Sequence, residues 1–313
     1  MISISQAVQL LQTEDIVAVP TETVYGLAGN ATSPAAVNKI FQTKQRPVYN
    51  PLIIHVAAIE AISSFAHIPA HTLSLLKAYW PGPLTAILPL KEEKFLAPAI
   101  TANLPSVAVR LPNHPIMREI LKNIPFPLAA PSANISGTVS PTTAQHVVQA
   151  YAGKVPCVDG GACSVGIEST IVDLTCSPAK ILRPGILTFE DIQKHISLEQ
   201  YDEATESTSI KAPGQLKSHY APKLPLRLNA THAKNGEAFL GFGPEHTQAD
   251  LNLSSEADLA EAAFHLFSYL QELDQPHRFT AIAVAPIPTI GIGVALNNRL
   301  VRAAAPKKRH AYV

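Results

Sequence analysis

The sequence predicts an α/β protein made of a large domain, a polar linker and a small domain. Over the first two hundred residues, short β-type runs alternate with helical patterns, which indicates packed layers of sheet and helix. A polar stretch without apolar period follows from about 197 to 222, and strand and helix patterns then resume. We therefore expect a first domain over residues 1–198, a linker over 199–222 and a small α/β domain over 223–313.

The overall composition excludes several classes of protein. The chain has 313 residues, of which 47% are hydrophobic and 15% charged, as in an ordinary globular protein. No run approaches the roughly 18 apolar residues that a membrane span needs. The 24 basic residues balance the 24 acidic ones, so the chain has no global positive field to attract nucleic acid.

The N-terminal and cysteine patterns predict a cytoplasmic protein. The opening "MISISQAVQLLQTED" lacks a basic segment, so it is typical of an amphipathic helix and not of a signal peptide. Cys157, Cys163 and Cys176 form no CxxC pair, which argues against a zinc site and favours a reducing compartment.

The first helix with clear end signals is "SPAAVNKIFQTK". Ser33 is suited to cap its N-terminus, and Pro34 to occupy its first position. An apolar stripe begins at Val37 and Ile40 and reaches Lys44, which places this lysine at the end of the buried face. The strand "DIVAV" precedes the helix, and the strands "PLIIHV" and "LTAILPL" follow it, separated by the helical "HTLSLLKAYW".

Three more strands are predicted in the first domain, at "SVAVRLP", "STIVDL" and "AKILRPG". In the first of these, Ser106 and Arg110 share one face. A helix is predicted between "SVAVRLP" and "STIVDL", with Ser140 as its cap, Pro141 as its first residue and an apolar stripe that ends at Tyr151. The small domain has strand patterns at "LPLRLN", "AFLGFG" and "FTAIAVAPI", and helical patterns near 255–274 and 293–304.

Two polar loops near the N-terminus are candidate binding sites. In "PTETVYGL" (20–27), hydroxyl groups stand beside Gly26, which favours a small-molecule site, although a plain strand-to-helix turn would look similar. In "KQRPVYN", Lys44 and Arg46 are suited to phosphates and Asn50 to a nucleotide. The alternative is that the two cations only compensate the dipole of the preceding helix.

His55 lies in the strand that follows this second loop. Its side chain faces away from Leu52, Ile54 and Val56, so we expect it to point into a cleft. The alternative is a core histidine with satisfied hydrogen bonds.

Two later loops carry weaker signals. "APSANISG" (130–137) crowds Ser132 and Asn134 ahead of a helix and could form an anion nest, or it could be an ordinary capped helix entry. "DGGACSVGIEST" (159–170) is rich in glycine but matches no phosphate-binding motif. Arg46, Arg110 and Arg183 each lie beside a turn that contains proline, and together they predict a convergent anion pocket.

Seven motifs taken in order resemble the YrdC-like family: "PTETVYGL", "KQRPVYNPL", "WPGPLT", "VAVRLP", "PSANISG", "GIESTIVD" and "LRPG". "APGQLKSHYAP" and the ending "NNRLVRAAAP" are similar to the longer, two-domain form of that family. Ala212 and Gln215 stand where the linker signature often has Ser and Met. The resemblance implies a large twisted mixed sheet with helices, a small Rossmann-like C-terminal domain, and a linker that acts as a lid.

The resemblance also implies an activity, the synthesis of threonylcarbamoyl-AMP and pyrophosphate from ATP, L-threonine and bicarbonate or CO2. Mg²⁺ would accompany ATP, and no tightly bound organic cofactor, metal-ligating residue or catalytic nucleophile is implied. The product would pass to the machinery that modifies the tRNA adenosine beside the anticodon. No membrane partner and little or no direct nucleic-acid binding are expected.

The family's ligand-binding residues transfer onto positions of this sequence. ATP would be bound by Lys44, Arg46, Asn50, Ser106, Ser132, Asn134, Ser140, Arg183 and Tyr220. L-Threonine would be bound by Thr23, His55, Arg110, Ala130 and Ser169. The linker is expected to fold back over the cleft of the first domain, with Tyr220 on the phosphates or on the intermediate.

Two alternatives use a similar domain. An RNA-binding module without adenylyltransferase activity would need a basic stripe, and the one dense basic run is "KKRH" (307–310). A hydrogenase-maturation carbamoyltransferase would carry zinc-finger CxxC pairs and an acylphosphatase-like region, and this sequence contains neither.

Overall fold

The computed structural model describes residues 1–91, 95–200, 212–214 and 218–306. The expectations for the "KKRH" tail, for most of the acidic 199–206 tract and for Gln215 fall outside these residues. No helix in the described ranges is long and apolar enough to cross a membrane.

The described chain contains eight α-helices and twelve β-strands. The helices are α1 Ile4–Gln12, α2 Pro34–Lys44, α3 Leu73–Tyr79, α4 Pro115–Lys122, α5 Ala144–Tyr151, α6 Phe189–Ile192, α7 Leu259–Leu273 and α8 Ile292–Ala304. The strands are β1 Val17–Val19, β2 Gly26–Asn30, β3 Ile53–His55, β4 Leu84–Pro89, β5 Ser106–Arg110, β6 Leu128–Ala129, β7 Thr170–Asp173, β8 Lys180–Arg183, β9 Leu226–Arg227, β10 Glu237–Gly241, β11 Leu251–Asn252 and β12 Ala281–Val284. Short 3-10 helices occur at Ile59–Ser64, Ala70–Thr72 and Pro98–Ile100.

The first eight strands form one mixed sheet in the order β1-β2-β6-β3-β5-β4-β7-β8. The pairs β3–β5 and β4–β7 are parallel, and the other neighbours are antiparallel. In the β3–β5 pair His55 lies opposite Arg110, and in the β5–β4 pair Arg110 lies opposite Thr85. This register brings three polar side chains together where β3 and β5 end.

Alternation along the central strands divides the apolar residues between the two faces of the sheet. Leu52 and Ile54 belong to the main core. Ile53 and Ala108 belong to a small cluster on the other face, which the fully buried Ala212 of the linker completes. The linker therefore packs on the sheet face that carries His55 and Arg110.

Helix α2 forms as the local signals predict. The Ser33 hydroxyl accepts a hydrogen bond from the Ala36 amide at 3.2 Å, and Pro34 is the first helical residue. The helix ends at Lys44, because Gln45 adopts a left-handed conformation with φ of 52°. Lys44 is buried at the end of the apolar face, as predicted.

The predicted start of helix α5 is wrong. The helix begins at Ala144 with Thr143 as its cap, not at Pro141 with Ser140 as its cap. The cause is tertiary, because the Ser140 hydroxyl donates to the Glu168 carboxylate and the Tyr25 amide donates to the Pro141 carbonyl. The chain is therefore held in a loop for three further residues.

The small domain has a wholly parallel four-stranded sheet in the order β11-β10-β12-β9. Its core is shared with the first domain, since Val24, Val139 and Ile167 pack in the same cluster as helices α7 and α8. At Gly166, with φ of 85°, an added Cβ would lie 2.4 Å from the Ala263 carbonyl oxygen. A glycine is therefore required where this first-domain loop meets α7.

Candidate active site

A cavity lies against the face of the large sheet that carries His55 and Arg110. Loops of the first domain form its walls, and the linker closes one side. Its principal polar lining residues are Thr21, Thr23, Arg46, His55, Arg110, Ser132, Glu168, Ser169, Arg183, His219 and Tyr220.

Arg110 is the best-fixed cation of the cavity. Its Nη1 donates to Thr23 Oγ1 at 2.7 Å and its Nε to the Gly82 carbonyl at 3.2 Å. Its Nη2 lies 2.7 Å from Glu22 Oε1 as an ion pair, and both side chains are buried. The guanidinium is thus held on three sides and directed into the cavity, where a small carboxylate could bind it.

His55 lies beside Arg110 because of the parallel register of β3 and β5. Burial, and then the charge of Arg110, lower the pKa of His55 to about 3. The imidazole is therefore neutral at physiological pH, and it lines the cavity as the strand pattern predicts.

Arg46 also lines the cavity, and Asn50 holds its side chain in place. Arg46 Nη2 donates to Asn50 Oδ1 at 2.6 Å, and its Nε donates to the Asn50 carbonyl at 3.0 Å. Asn50 does not itself line the cavity. Burial, and then the charge of Arg183, lower the pKa of Arg46 to about 9, so Arg46 is a cation at neutral pH.

Lys44 is buried behind the cavity and braces the loop at residues 130–137. Its Nζ donates to the carbonyl oxygens of Ser132 and Asn134, the latter at 2.7 Å. Burial, and then the charge of Arg46, lower the pKa of Lys44 well below its usual range. The same loop is braced internally, because Ser132 Oγ donates to Asn134 Oδ1 at 2.6 Å.

Arg183 and Ser169 form a third polar corner. Arg183 Nη2 donates to Ser169 Oγ and its Nε to the Ser169 carbonyl, both at 3.1 Å. Ser169 Oγ also lies 2.7 Å from Thr85 Oγ1. Both Arg183 and Ser169 line the cavity, as does Ala130.

The described part of the linker covers this cavity, with Pro213, Gly214, His219 and Tyr220 in its lining. Tyr220 is 1% exposed, has φ of 61°, and stacks on Phe267 with ring centroids 5.5 Å apart. Its hydroxyl has no hydrogen-bond partner among the described residues. A bulky residue in the left-handed region is strained backbone, which is typical of ligand sites.

Nine of the fourteen sequence-predicted site residues line the cavity: Thr23, Arg46, His55, Arg110, Ala130, Ser132, Ser169, Arg183 and Tyr220. Lys44, Asn50, Asn134 and Ser140 lie behind it and hold lining residues or their loops. Ser106 is half-buried at the far end of β5, on the face of Arg110, and does not line the cavity.

The prediction assigned no ligand-binding role to two acidic residues at the site, Glu22 and Glu168. Each was visible in a candidate loop, but its partner lies far away in sequence, 88 residues for Glu22 and Arg110. No group of three or more His, Cys, Asp or Glu residues among the described residues could hold a metal ion. Glu168 carries the single carboxylate among the described lining residues.

The fold and the cavity define a two-domain α/β protein with a cavity lined by three arginines. The family described as "Telomere recombination" matches residues 9–185, and the family described as "Threonylcarbamoyl-AMP synthase, C-terminal domain" matches residues 187–305. The chain belongs to the two-domain threonylcarbamoyl-AMP synthase family, which confirms the YrdC-like resemblance. It is an adenylyl-transferring enzyme, and the comparisons support this activity over the RNA-binding alternative.

Several relatives are similar over most of their length. The threonylcarbamoyl-AMP synthase of Pyrococcus abyssi is 39% identical over 92% of this chain and 90% of its own. That of Bacillus subtilis is 36% identical over 96% of this chain and 92% of its own. The crystal structure of P. abyssi Sua5 complexed with L-threonine superposes with a TM-score of 0.87 at 37% identity, covering 96% and 94% of the two chains.

Proposed function

We propose that this cavity binds L-threonine and ATP side by side and that the chain converts them, with bicarbonate or CO2, into L-threonylcarbamoyl-AMP and pyrophosphate. The observation that carries the proposal is that three buried arginines, Arg46, Arg110 and Arg183, line one cavity together with the neutral His55. We assign Arg110 and His55, which are neighbours through the β3–β5 register, to a threonine end, and Arg46 and Arg183 to an ATP end. The proposal is also supported by the P. abyssi relative, whose crystal structure contains L-threonine.

The threonine end has the groups that a small amino acid requires. The Arg110 guanidinium is held by Thr23 and Glu22, and it would bind the threonine carboxylate. His55 would contact the substrate as a neutral imidazole. Ser169 and the backbone at Ala130, which also line the cavity, would complete this end.

The ATP end has buried cations and strained backbone. Arg46, Arg183, Ser132 and Tyr220 would contact the nucleotide directly. Lys44 would act from behind, and an approaching phosphate would raise its lowered pKa again, since an opposite charge favours the ammonium. Asn50, Asn134, Ser140 and Ser106 would support or flank this end.

Mg²⁺ is proposed to arrive with ATP. The cavity offers one carboxylate among its described lining residues, Glu168, which suits an ion held mainly by phosphate oxygens and water. When bound, the ion would neutralise charge on the phosphates. The protein residues would bind and orient the two substrates.

The chemistry needs positioning more than a protein nucleophile. The threonine amine would combine with CO2 to give a carbamate and release a proton. A carbamate oxygen would then attack the α-phosphorus of ATP and displace pyrophosphate. Arg46 and Arg183 would stabilise the charge that develops around the α-phosphorus as the adenylyl group is transferred. The linker would exclude water from the hydrolysable product.

We also propose the domain roles and the cellular setting. Residues 1–198 would form the catalytic domain, 199–222 the lid and 223–313 a supporting domain. The adenylate would pass to the downstream tRNA threonylcarbamoyl-transfer machinery in the cytoplasm, without a membrane partner and with weak or no direct nucleic-acid binding.

Pyrophosphate release from ATP tests the activity. We expect release to require both L-threonine and bicarbonate, with L-valine as the matched control because it replaces the hydroxyl by a methyl group. Release that ignores threonine, or no release with all substrates present, would contradict the proposal.

A further inference from the structure

A buried arginine of the small domain reaches the rear of the cavity. Arg299 of helix α8 is 0% exposed, and its Nε lies 3.1 Å from Glu168 Oε2. Its Nη1 donates to the Pro184 carbonyl at 2.8 Å. The guanidinium thus spans from the small domain to two loops of the first domain, and Glu168 lies 131 residues away in sequence.

The same guanidinium supports the linker. Its carbon atom lies 5.3 Å from the centroid of the Tyr220 ring, within the range of a cation–π contact. Tyr220 is also stacked with Phe267 of helix α7. Arg299 therefore touches both a wall residue, Glu168, and a linker residue, Tyr220, of one cavity.

Glu168 is an unusual group in this place. It lines a cavity whose other described charged lining residues are Arg46, Arg110 and Arg183, and Ser140 donates to its other oxygen. An unpaired carboxylate at this wall would repel a polyphosphate, and the effect would be strong because the group is buried. The contact with Arg299 balances that charge from the side away from the cavity.

We propose that Arg299 is a positioning residue for nucleotide binding, which neutralises and orients Glu168 and holds Tyr220 against the cavity. This inference rests on the proposed function, since it assumes that the cations of the cavity bind ATP. It gives the small domain a part in the site: the domain supplies the charge that makes the rear wall of the cavity acceptable to phosphates.

The test compares full-length variants at saturating and limiting substrates. Arg299→Met should raise the KM for ATP by roughly 10- to 100-fold, as expected for a lost charged contact, and change the KM for threonine by less than about twofold. Arg299→Lys should retain most ATP affinity. Arg299→Met combined with Glu168→Gln should regain most of the lost affinity, because the uncompensated charge is then absent.

The matched control is Arg227→Met. Arg227 forms an ion pair with Glu237 within the small domain, 2.5 Å between Nη2 and Oε2, and does not line the cavity. This variant should keep both KM values. Thermal unfolding shows which variants are folded. If Arg299→Met does not fold, Arg299→Gln takes its place, because it removes the charge but keeps a polar side chain, and it should show the same selective rise in the KM for ATP relative to Arg227→Met.

Three outcomes would overturn the inference while the proposed function stands. They are an equal rise in both KM values, a double variant no better than Arg299→Met, and Arg299→Met kinetics equal to those of Arg227→Met. Failure of the proposed function is distinct, because wild-type protein would then show no threonine-dependent pyrophosphate release. If the wild type shows no such release, calorimetry can still compare the affinity for ATP of the Arg299 variants with that of the wild type.

Discussion

Arg110 shows how a single buried cation is prepared for a ligand. Its Nη1 and Nε donate hydrogen bonds, and Glu22 balances its charge at 2.7 Å. Binding a carboxylate therefore costs little ordering of the side chain. The same principle applies to Arg46, which Asn50 holds through two hydrogen bonds.

The first prediction separates the two substrate ends. Arg110→Ala should raise the KM for threonine by roughly 10- to 100-fold, with a much smaller change for ATP, because it removes a charge-assisted contact. Arg46→Ala should show the opposite preference. Steady-state kinetics of pyrophosphate release measures both.

Lys39→Ala is the control, since Lys39 pairs with Asp15 at the surface, 3.4 Å apart and about half exposed. It should leave both KM values unchanged. If Arg110→Ala raises both KM values by the same factor, then Arg110 does not bind the threonine carboxylate.

The second prediction concerns acid stability. His55 has a pKa lowered from 6.5 to about 3 in the folded chain, so the unfolded chain binds a proton that the folded chain does not. The free energy of unfolding should therefore fall as the pH decreases from 6.5 towards 3, by at most about 1.4 kcal/mol per pH unit from this group. His55→Gln should make the decline less steep.

Urea unfolding of wild type and variant at pH 7.5, 6.0 and 5.0 measures this difference. Parallel declines in the two proteins would show that the His55 imidazole is not held neutral. Comparison with His67→Gln, at a residue exposed to solvent, controls for the loss of a histidine as such.

At the scale of elements, predictions succeeded where the signals were local. Ser33, Pro34 and an apolar stripe predicted α2, because capping and periodicity act within one turn or two. The same kind of signal failed at Ser140, whose hydroxyl donates to Glu168 from a distant loop. Likewise, Arg46, Arg110 and Arg183 could be predicted to converge, whereas the Glu168–Arg299 pair has no local pattern.

The linker provides the third prediction. Gly214 has φ of 89°, and a Cβ there would lie 2.8 Å from the Tyr220 hydroxyl and 2.9 Å from Arg183 Cδ. Gly214→Ala should therefore displace the linker from the cavity and raise the KM for ATP by about tenfold, while the rest of the fold persists. Kinetics and thermal unfolding measure the two effects.

Gly236→Ala is the matched control. Gly236 also has positive φ, 83°, but its nearest neighbour is Thr280 of the small domain. It should lose stability through similar backbone strain and keep its kinetics. Equal kinetic effects in the two variants would contradict a role of the linker at the cavity.

At the scale of the whole molecule, the two domains share an apolar cluster and several long-range polar contacts. Val24, Val139 and Ile167 of the first domain pack with the small-domain core. Gln271 of α7 donates to the Ser140 carbonyl at 3.1 Å, and Arg299 of α8 pairs with Glu168. Such an interface favours unfolding as one unit.

The fourth prediction follows from that interface. Differential scanning calorimetry should show one unfolding transition for the wild type. Gly166→Ala should lower its midpoint and broaden or split it, because a Cβ 2.4 Å from the Ala263 oxygen forces the domains apart. Two separate transitions in the wild type would contradict the shared core. The control for backbone strain is Gly153→Ala, because Gly153 has φ of 74° and open space around it.

The close approach at Gly166 also limits how such chains can be recombined. A chimera that joins the first domain of one relative to the small domain of another replaces one side of a contact in which there is no room for a Cβ. The exchange would have to carry the loop at residues 159–168 along with α7 and α8. A chimera must therefore keep both sides of this interface from the same relative. The polar linker, although it separates the two domains in sequence, is not a suitable crossover point.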